Sequence, residues 1–109
     1  MTPRRGELWW VRLDPTEGSE IRKTRPCLVL TSDVLNRLRR TVVVVPYSSS
    51  AGAHPPVTVA VSCQERANVA IVDQVRAIAR ERLTERIGQA PEEDLAAVLC
   101  ALAEILEMP

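Results

Sequence analysis

Apolar and polar residues alternate with a period of two near the start of the chain, the spacing that β-strands show. Over Glu7–Asp14, the residues Trp9, Val11 and Leu13 fall on one face of such a strand, and Trp10 falls on the other. Because neighbouring strand residues point to opposite faces, at most one of the two tryptophans is exposed. We therefore predict that Trp9 belongs to the core.

Several short apolar segments rich in β-branched residues follow, and they are typical of strands covered on both sides or curved into a barrel. These predicted strands are Pro26–Thr31, Thr41–Val45, Val57–Val61, and Asn68–Val75 paired with Arg76–Ile78. Between the first two, Asp33–Asn36 begins with a capping residue and has room for about one turn, so we expect a short turn or helix.

The end of the chain has a different period. From Pro91 the apolar positions follow helical spacing, with acidic residues in the first turn where they complement the helix dipole. The apolar positions are Leu95, Val98, Leu99, Leu102 and Leu106; a small face of Ala96, Ala97, Ala101 and Ala103 could pack on a second subunit. The whole pattern predicts a mainly β (α+β) fold, a small, strongly curved antiparallel barrel with one C-terminal helix.

Length and composition restrict the class of protein. At 109 residues and 12.1 kDa, with 46% hydrophobic residues, the chain is expected to form a single domain, residues 1–109, that would gain stability from oligomerisation. No apolar run approaches the ~18 residues of a membrane span, and no leader peptide is evident. The three cysteines have no C-x-x-C spacing and His54 is the only histidine, which favours reduced thiols in a cytoplasmic protein over a zinc site.

Charge is unevenly distributed although the net charge is zero. Residues 1–50 contain nine Lys or Arg and five acidic residues, whereas the five acids after residue 90 have no basic residue near them in the sequence. This asymmetry is consistent with attraction of a polyanion to one face, although an ordinary scatter of solvated charges would look similar.

The strongest candidate for chemistry is Arg25, which precedes Pro26 at the start of a predicted strand. Proline disfavours a helical conformation of the residue before it, so Arg25 is held in extended backbone where loop becomes strand. A guanidinium fixed in this way can grip a phosphate with two parallel hydrogen bonds. Taken alone, an arginine in this position is more often an ordinary surface residue that ends a loop.

A second polar cluster, Pro46-Tyr47-Ser48-Ser49-Ser50, follows the strand predicted over Thr41–Val45. Its hydroxyls could donate to phosphate oxygens, and Tyr47 could stack on a base. His54 lies in a loop and is expected at the surface. Since neither paired histidines nor a carboxylate cluster is evident, we expect no metal and no cofactor.

Five ordered blocks of the sequence resemble the MazF/PemK toxins. They are Arg5-Gly6-Glu7-Leu8-Trp9-Trp10, Asp14-Pro15-Thr16 with Gly18-Ser19-Glu20, Arg25-Pro26, Pro46 to Ser49, and Asp73-Gln74-Val75-Arg76 with Ile78. The resemblance spans about Arg5 to Leu106. It implies an SH3-like barrel and a sequence-specific endoribonuclease of a toxin-antitoxin module, an mRNA interferase that inhibits growth.

The resemblance also implies roles for individual residues. Arg25 matches a catalytic arginine, and Ser48 lies where the family usually has a catalytic threonine, so the hydroxyl is kept but the methyl is lost. Glu20 would accept the proton of the attacking 2'-hydroxyl or pair with Arg25. The remaining residues expected to bind RNA are Ser19, Arg22, Lys23, Tyr47, Ser49, Gln74 and Arg76, of which Gln74 and Arg76 carry groups able to read unpaired bases.

The predicted function is therefore metal-independent cleavage of single-stranded RNA to 2',3'-cyclic phosphate and 5'-hydroxyl ends by a homodimer that a MazE-like antitoxin inhibits. Two alternatives stay open. A CcdB-like toxin that poisons gyrase has the same fold, but such proteins act through a C-terminal tail with tryptophan, and this chain ends Leu106-Glu107-Met108-Pro109. A non-catalytic SH3-like binding module would have no reason to carry both Arg25 and Ser48.

Overall fold

A computed structural model describes residues 2–13 and 24–109. It contains seven strands, two α-helices and two short 3-10 helices. The strands are β1 (Glu7–Arg12), β2 (Thr24–Val29), β3 (Thr41–Ser48), β4 (Thr58–Cys63), β5 (Arg66–Ile71), β6 (Arg76–Ala79) and β7 (Leu83–Gln89); the helices are α1 (Asp33–Leu38), α2 (Glu92–Ile105) and the 3-10 turns Val72–Gln74 and Arg80–Arg82. The predicted mainly β fold with one C-terminal helix is confirmed.

All strand pairs are antiparallel, in the order β4-β5-β3-β2-β1-β7, and β6 pairs with β3. Strand β3 pairs with β6 over Thr41 to Val44 and with β5 at Tyr47 and Ser48. Pro46, which has no backbone N–H to donate, lies where β3 passes from one partner to the other. The strongly curved sheet resembles a barrel, but its end strands β4 and β7 are not paired with each other within the described residues.

Several element boundaries differ from the prediction by a few residues. Strand β3 continues through Pro46 to Ser48, and the strand expected to reach Val75 ends at Ile71 in a 3-10 turn. The predicted pairing of Asn68–Val75 with Arg76–Ile78 is wrong, because that 3-10 turn directs β6 to β3, while β5 pairs with β4 and β3. Strand β7 was not predicted. Its sequence alternates weakly: Leu83 and Ile87 pack against the core but are only partly buried, and Glu85 lies between them at the same two-residue spacing, so the period-two signal is small.

Helix α2 closes the core over one face of the sheet. Val98 and Ala101 are buried, and Leu95, Leu99 and Leu102 pack against the same cluster. The prediction that the alanine face of this helix is free to pack on a second subunit is therefore wrong at Ala101. Leu106 follows the end of the helix and is 56% exposed, so its predicted place in the apolar stripe is also wrong.

One contact fixes the start of α2 on strand β4. The Asp94 carboxylate accepts hydrogen bonds from the backbone N–H of Ser62 at 3.0 Å and from its hydroxyl at 3.3 Å. The first turn of a helix favours a negative charge, so this position suits Asp94. No helix among the described residues is long and apolar enough to cross a membrane.

Glu7 is a buried acid at the start of β1. Its Oε1 accepts hydrogen bonds from the Trp9 indole and the Arg4 backbone N–H, each at 2.9 Å, and its Oε2 accepts one from Arg86 Nε at 2.8 Å. Burial alone would raise the pKa of Glu7, but these hydrogen bonds and the charge of Arg86 outweigh it, so the pKa lies below its ordinary value of 4.5.

Glu7 should therefore make folding stability depend on pH. A carboxyl whose pKa is lowered by folding stabilises the native state above its unfolded pKa, and that contribution is lost as pH falls through the folded value. We expect Arg86→Ala to lower the free energy of unfolding by about 1–3 kcal/mol at pH 7, because it leaves a buried carboxylate without its charged donor. Urea unfolding at pH 7 and about pH 3 measures the difference, which should shrink at the lower pH.

The matched control for Arg86→Ala is Arg39→Ala, which removes an exposed arginine side chain at the end of α1. This variant should change stability little at either pH. An Arg86→Ala effect of the same size at both pH values would show that Arg86 contributes through packing instead of through the Glu7 charge.

Candidate active site

Arg25 and Ser48 line the same cleft, an open depression of about 320 Å³. Strands β2 and β3 pair with Cys27 opposite Pro46, and continuing that antiparallel register by two residues places Arg25 across from Ser48. Arg25 is half-buried. Among the residues that the structure describes, no hydrogen bond or ion pair engages its guanidinium. The cleft thus combines a cation with a hydroxyl.

The Ser48 hydroxyl has a defined orientation, although serine lacks the methyl group that restricts threonine. Its oxygen accepts hydrogen bonds from the backbone N–H groups of Ser50 and Ala51, both at 3.2 Å, and lies 3.4 Å from the Ser50 hydroxyl. A hydroxyl has two acceptor lone pairs and one proton, so with two N–H donors in place Ser48 has its proton to donate, either to the Ser50 hydroxyl or to a bound phosphate oxygen. Ser48 is only 8% exposed, which limits competition from water.

Two buried thiols lie beside these groups. Burial raises the pKa of Cys27 to about 12, although the positive charges of Arg76 and Arg25 oppose the shift. Burial also raises the pKa of Cys63, which lines the cleft. Both thiols are therefore neutral at physiological pH and do not cancel the charge of Arg25, and neither is a competent nucleophile.

The aromatic residues of the cleft differ from the expectation. Trp9 is buried, as predicted, and Trp10 is half-buried and lines the cleft. Tyr47 also lies at the cleft, but its side chain is fully buried and its hydroxyl has no hydrogen-bond partner in the described structure. Burial raises the pKa of Tyr47 well above its usual range. Since a stacking ring needs an exposed face, the predicted base-stacking role of Tyr47 is wrong.

The other predicted residues fall into three groups. Ser49 lines the cleft. Gln74 and Arg76 are exposed on the 3-10 turn and β6, outside the cleft lining, although Arg76 is near enough to Cys27 to influence its thiol. Ser19, Glu20, Arg22 and Lys23 lie outside the described residues.

His54 is an exposed loop residue whose backbone N–H donates to the Thr58 hydroxyl at 2.6 Å. This agrees with the expected surface position. Within residues 2–13 and 24–109, no group of three or more His, Cys, Asp or Glu side chains is placed to hold a metal ion.

The sequence did not point to one wall of the cleft. Gln64, Arg66 and Asn68 line it together with Thr24 and Ser50. The first three come from the β4–β5 hairpin, whose two-residue turn is Gln64-Glu65 with φ values of 55° and 65°. Turns of this geometry usually carry Asn or Gly, so Gln-Glu gives no turn signal in the sequence.

Comparisons with known proteins agree with this fold. Residues 4–106 match the family model described as PemK-like, MazF-like toxin of type II toxin-antitoxin system. The endoribonuclease toxin MazF of Escherichia coli K12 is 41% identical over 93 residues, covering 84% of this chain and 83% of that protein.

Two solved structures are also similar. MazF (Form-I) from Deinococcus radiodurans superposes with a TM-score of 0.85 and 29% identity over 99% of each chain. A MazE-MazF structure (Form-II) from the same organism gives a TM-score of 0.80 and 28% identity over 100% of this chain and 99% of that one.

The chain belongs to the family of PemK-like, MazF-like toxins of type II toxin-antitoxin systems. The predicted MazF/PemK family is confirmed. The predicted enzyme class, an endoribonuclease toxin, agrees with the named relatives.

Proposed function

We propose that this chain, residues 1–109, is a single-domain toxin that cleaves single-stranded RNA in a sequence-specific, metal-independent reaction, leaving 2',3'-cyclic phosphate and 5'-hydroxyl ends. The observation that carries the proposal is the placement of Arg25 and the proton-donating Ser48 hydroxyl in one cleft. The family membership and the named endoribonucleases among its relatives support the same activity.

In this reaction the 2'-hydroxyl gives up its proton and its oxygen attacks phosphorus to form the cyclic phosphodiester. The bond from phosphorus to the 5'-oxygen breaks, and that oxygen takes a proton from solvent water and leaves as a hydroxyl. Negative charge accumulates on the nonbridging phosphate oxygens in the transition state. Arg25 would offset this charge, and Ser48 would donate a hydrogen bond to one of the same oxygens. Groups fixed before the reaction stabilise such charge most effectively, because they need no reorganisation.

Glu20 is proposed to assist, either by accepting the proton of the 2'-hydroxyl or by pairing with Arg25. Ser19, Arg22 and Lys23 in the same segment are proposed to hold the RNA backbone, together with Ser49 in the cleft. Gln74 and Arg76 are proposed to contact bases farther along the strand. Single-stranded RNA suits these side chains because its unpaired bases expose their hydrogen-bonding edges.

The test of the activity is incubation of the purified protein with a long single-stranded RNA in EDTA. We expect cleavage at a restricted set of sequences with cyclic phosphate ends. An oligonucleotide with 2'-deoxyribose only at the scissile position should bind without being cut, because it lacks the attacking oxygen. Cleavage of that oligonucleotide at the normal rate would rule out attack by the 2'-hydroxyl, and loss of all cleavage in EDTA would rule out metal independence.

The proposed partners are a second copy of the chain and a MazE-like antitoxin, in the cytoplasm. Three apolar side chains of α1, Val34, Leu35 and Leu38, are between 45% and 73% exposed, and such surfaces often mark interfaces. The structure of a MazE-MazF pair from a relative supports an antitoxin. An acidic antitoxin segment would occupy the cleft in place of phosphates, since carboxylates pair with arginine in a similar geometry.

For assembly, we expect size-exclusion light scattering to give a mass of about twice 12.1 kDa, because a domain of this size gains stability by burying surface between subunits. An acidic peptide from the cognate antitoxin should compete with RNA for the protein. A monomer that cleaves RNA at the full rate would contradict the dimer, and simultaneous binding of peptide and RNA would contradict the shared cleft.

A further inference from the structure

We propose that Trp10 and the hairpin residues Gln64, Arg66 and Asn68 form a nucleobase subsite, which binds one unpaired base beside the scissile phosphate and contributes to sequence specificity. The inference rests on the proposed function, since it places the phosphate at Arg25 and Ser48. All four side chains line the same cleft as that pair. The cleft volume of about 320 Å³ is at the lower end of the ~300–1,000 Å³ of small-ligand sites, which suits one nucleotide.

The first component is an apolar surface made by two neighbouring strands. Trp10 of β1 is directly opposite Pro26 of β2 in the antiparallel register, so their side chains lie on the same face of the sheet. Both are half-buried, and both line the cleft. An indole ring held in this way by a strand offers the apolar face on which bases stack with little dependence on sequence.

The second component is the polar wall from the β4–β5 hairpin. Arg66 and Asn68 alternate along β5 and therefore share a face, and Gln64 follows the end of β4 at the turn. Within the described parts of the chain, no hydrogen bond or ion pair engages these three side chains. Carboxamide and guanidinium groups that are not used by the protein can pair with the edges of a base.

The combination favours a base over other occupants of the cleft. A phosphate alone would bind to Arg25 and Arg66 and would make no use of the aromatic surface or of the two carboxamides. A base uses both, because its faces are apolar and its edge carries hydrogen-bond donors and acceptors. Arg25, Trp10 and Pro26 all line this one cleft, so the phosphate site and the apolar surface lie in the same depression.

Specificity is tested with a pool of single-stranded RNA randomised on both sides of the cleavage site, sequenced after a single turnover. Gln64→Ala and Asn68→Ala should each reduce the preference at one base position by about 10-fold, since a base edge loses its partner. Gln89→Ala is the matched control because it removes an exposed carboxamide from β7, outside the cleft lining, and it should keep the wild-type pattern. Unchanged preferences in both cleft variants would overturn the subsite.

Stacking is tested by binding to an uncleavable strand with 2'-deoxyribose at the scissile position, with and without an abasic site at the base whose preference changed. Removing the base should weaken binding of the wild type by about 10-fold and have little further effect in Trp10→Ala, whereas Trp10→Phe should restore the wild-type response. Equal losses in wild type and Trp10→Ala would show that Trp10 has only a structural role.

The outcomes separate the subsite from the proposed function. A wild-type protein that cuts RNA, with variants that keep its base preferences, overturns the subsite alone. If the variants weaken only the binding of an acidic antitoxin peptide, the hairpin wall is a protein contact and the subsite is likewise overturned. A wild-type protein that cuts no RNA overturns the proposed function and the subsite with it.

Discussion

Arg25→Ala is expected to reduce the single-turnover rate of RNA cleavage by roughly 10²-fold or more while the protein stays folded. Arg25 is half-buried at the start of β2 and lines the cleft, so its guanidinium is placed where the proposed phosphate would bind. Because the phosphate gains charge during the reaction, losing a prepositioned cation costs more in the transition state than in the bound substrate. The effect should therefore be larger on the cleavage rate than on RNA affinity.

Two further variants make this result interpretable. Arg25→Lys keeps the charge but loses the planar fork of donors, so its rate should lie between those of the wild type and Arg25→Ala. Arg39→Ala removes an exposed arginine on α1 and controls for a general loss of positive charge. Wild-type cleavage by Arg25→Ala would remove Arg25 from the catalytic machinery, and a similar loss in Arg39→Ala would indicate nonspecific electrostatics.

Ser48→Ala is expected to have an effect of similar size, about 10²-fold on the cleavage rate, through loss of one hydrogen-bond donor to the transition state. The hydroxyl is aligned by the backbone N–H groups of Ser50 and Ala51, so the proton is directed by the loop and not by rotamer preference. For that reason Ser48→Thr, which has the residue usual in this family, should keep or raise activity. Complete inactivation by Ser48→Thr would show that the hydroxyl is used in a different orientation.

Ser32→Ala gives the matched control for removing a hydroxyl. Ser32 caps α1 by accepting a hydrogen bond from the Leu35 backbone N–H at 3.3 Å, and it is not part of the cleft lining. Its replacement should cost about 1 kcal/mol of stability and leave the cleavage rate unchanged. We expect the opposite pattern for Ser48→Ala, with a large loss of rate and a small change in the urea unfolding midpoint. If both variants lost activity in proportion to stability, the Ser48 effect would be structural.

The cleft also indicates how RNA and an antitoxin could exclude one another. Arg25 and Arg66 line the same small volume, and the described chain pairs neither of them with an acid. Arginine side chains bind either phosphate or carboxylate groups, to which they donate hydrogen bonds. When one of these ligands occupies the cleft, the other cannot bind there. Direct occlusion of the RNA site is therefore the simplest mechanism of inhibition for the proposed antitoxin.

The sequence by itself determined the strands with an apolar face and the C-terminal helix, because periods of two and 3.6 residues report which side chains share a buried side. It also determined the position of Arg25, since Pro26 constrains the residue before it. Arg25 and Ser48, the proposed catalytic pair, stand out for the same reason, because each lies near the end of a strand that the pattern reveals. Their catalytic roles were implied only by the resemblance to the MazF/PemK toxins and stay a proposal. Trp9 as a core residue followed from simple alternation.

Only the tertiary structure decided which strand ends meet and which of their faces the helix covers. A period-two pattern is the same whether a face of the sheet is covered by α2 or open to solvent. For this reason Tyr47 was expected to stack on a base but is buried, whereas Trp10 lines the cleft. Ala101 was expected on a free face and lies in the core for the same reason. The hairpin that brings Gln64, Arg66 and Asn68 to Arg25 depends on strand pairing between distant segments, and long-range pairing leaves no local signal in a sequence.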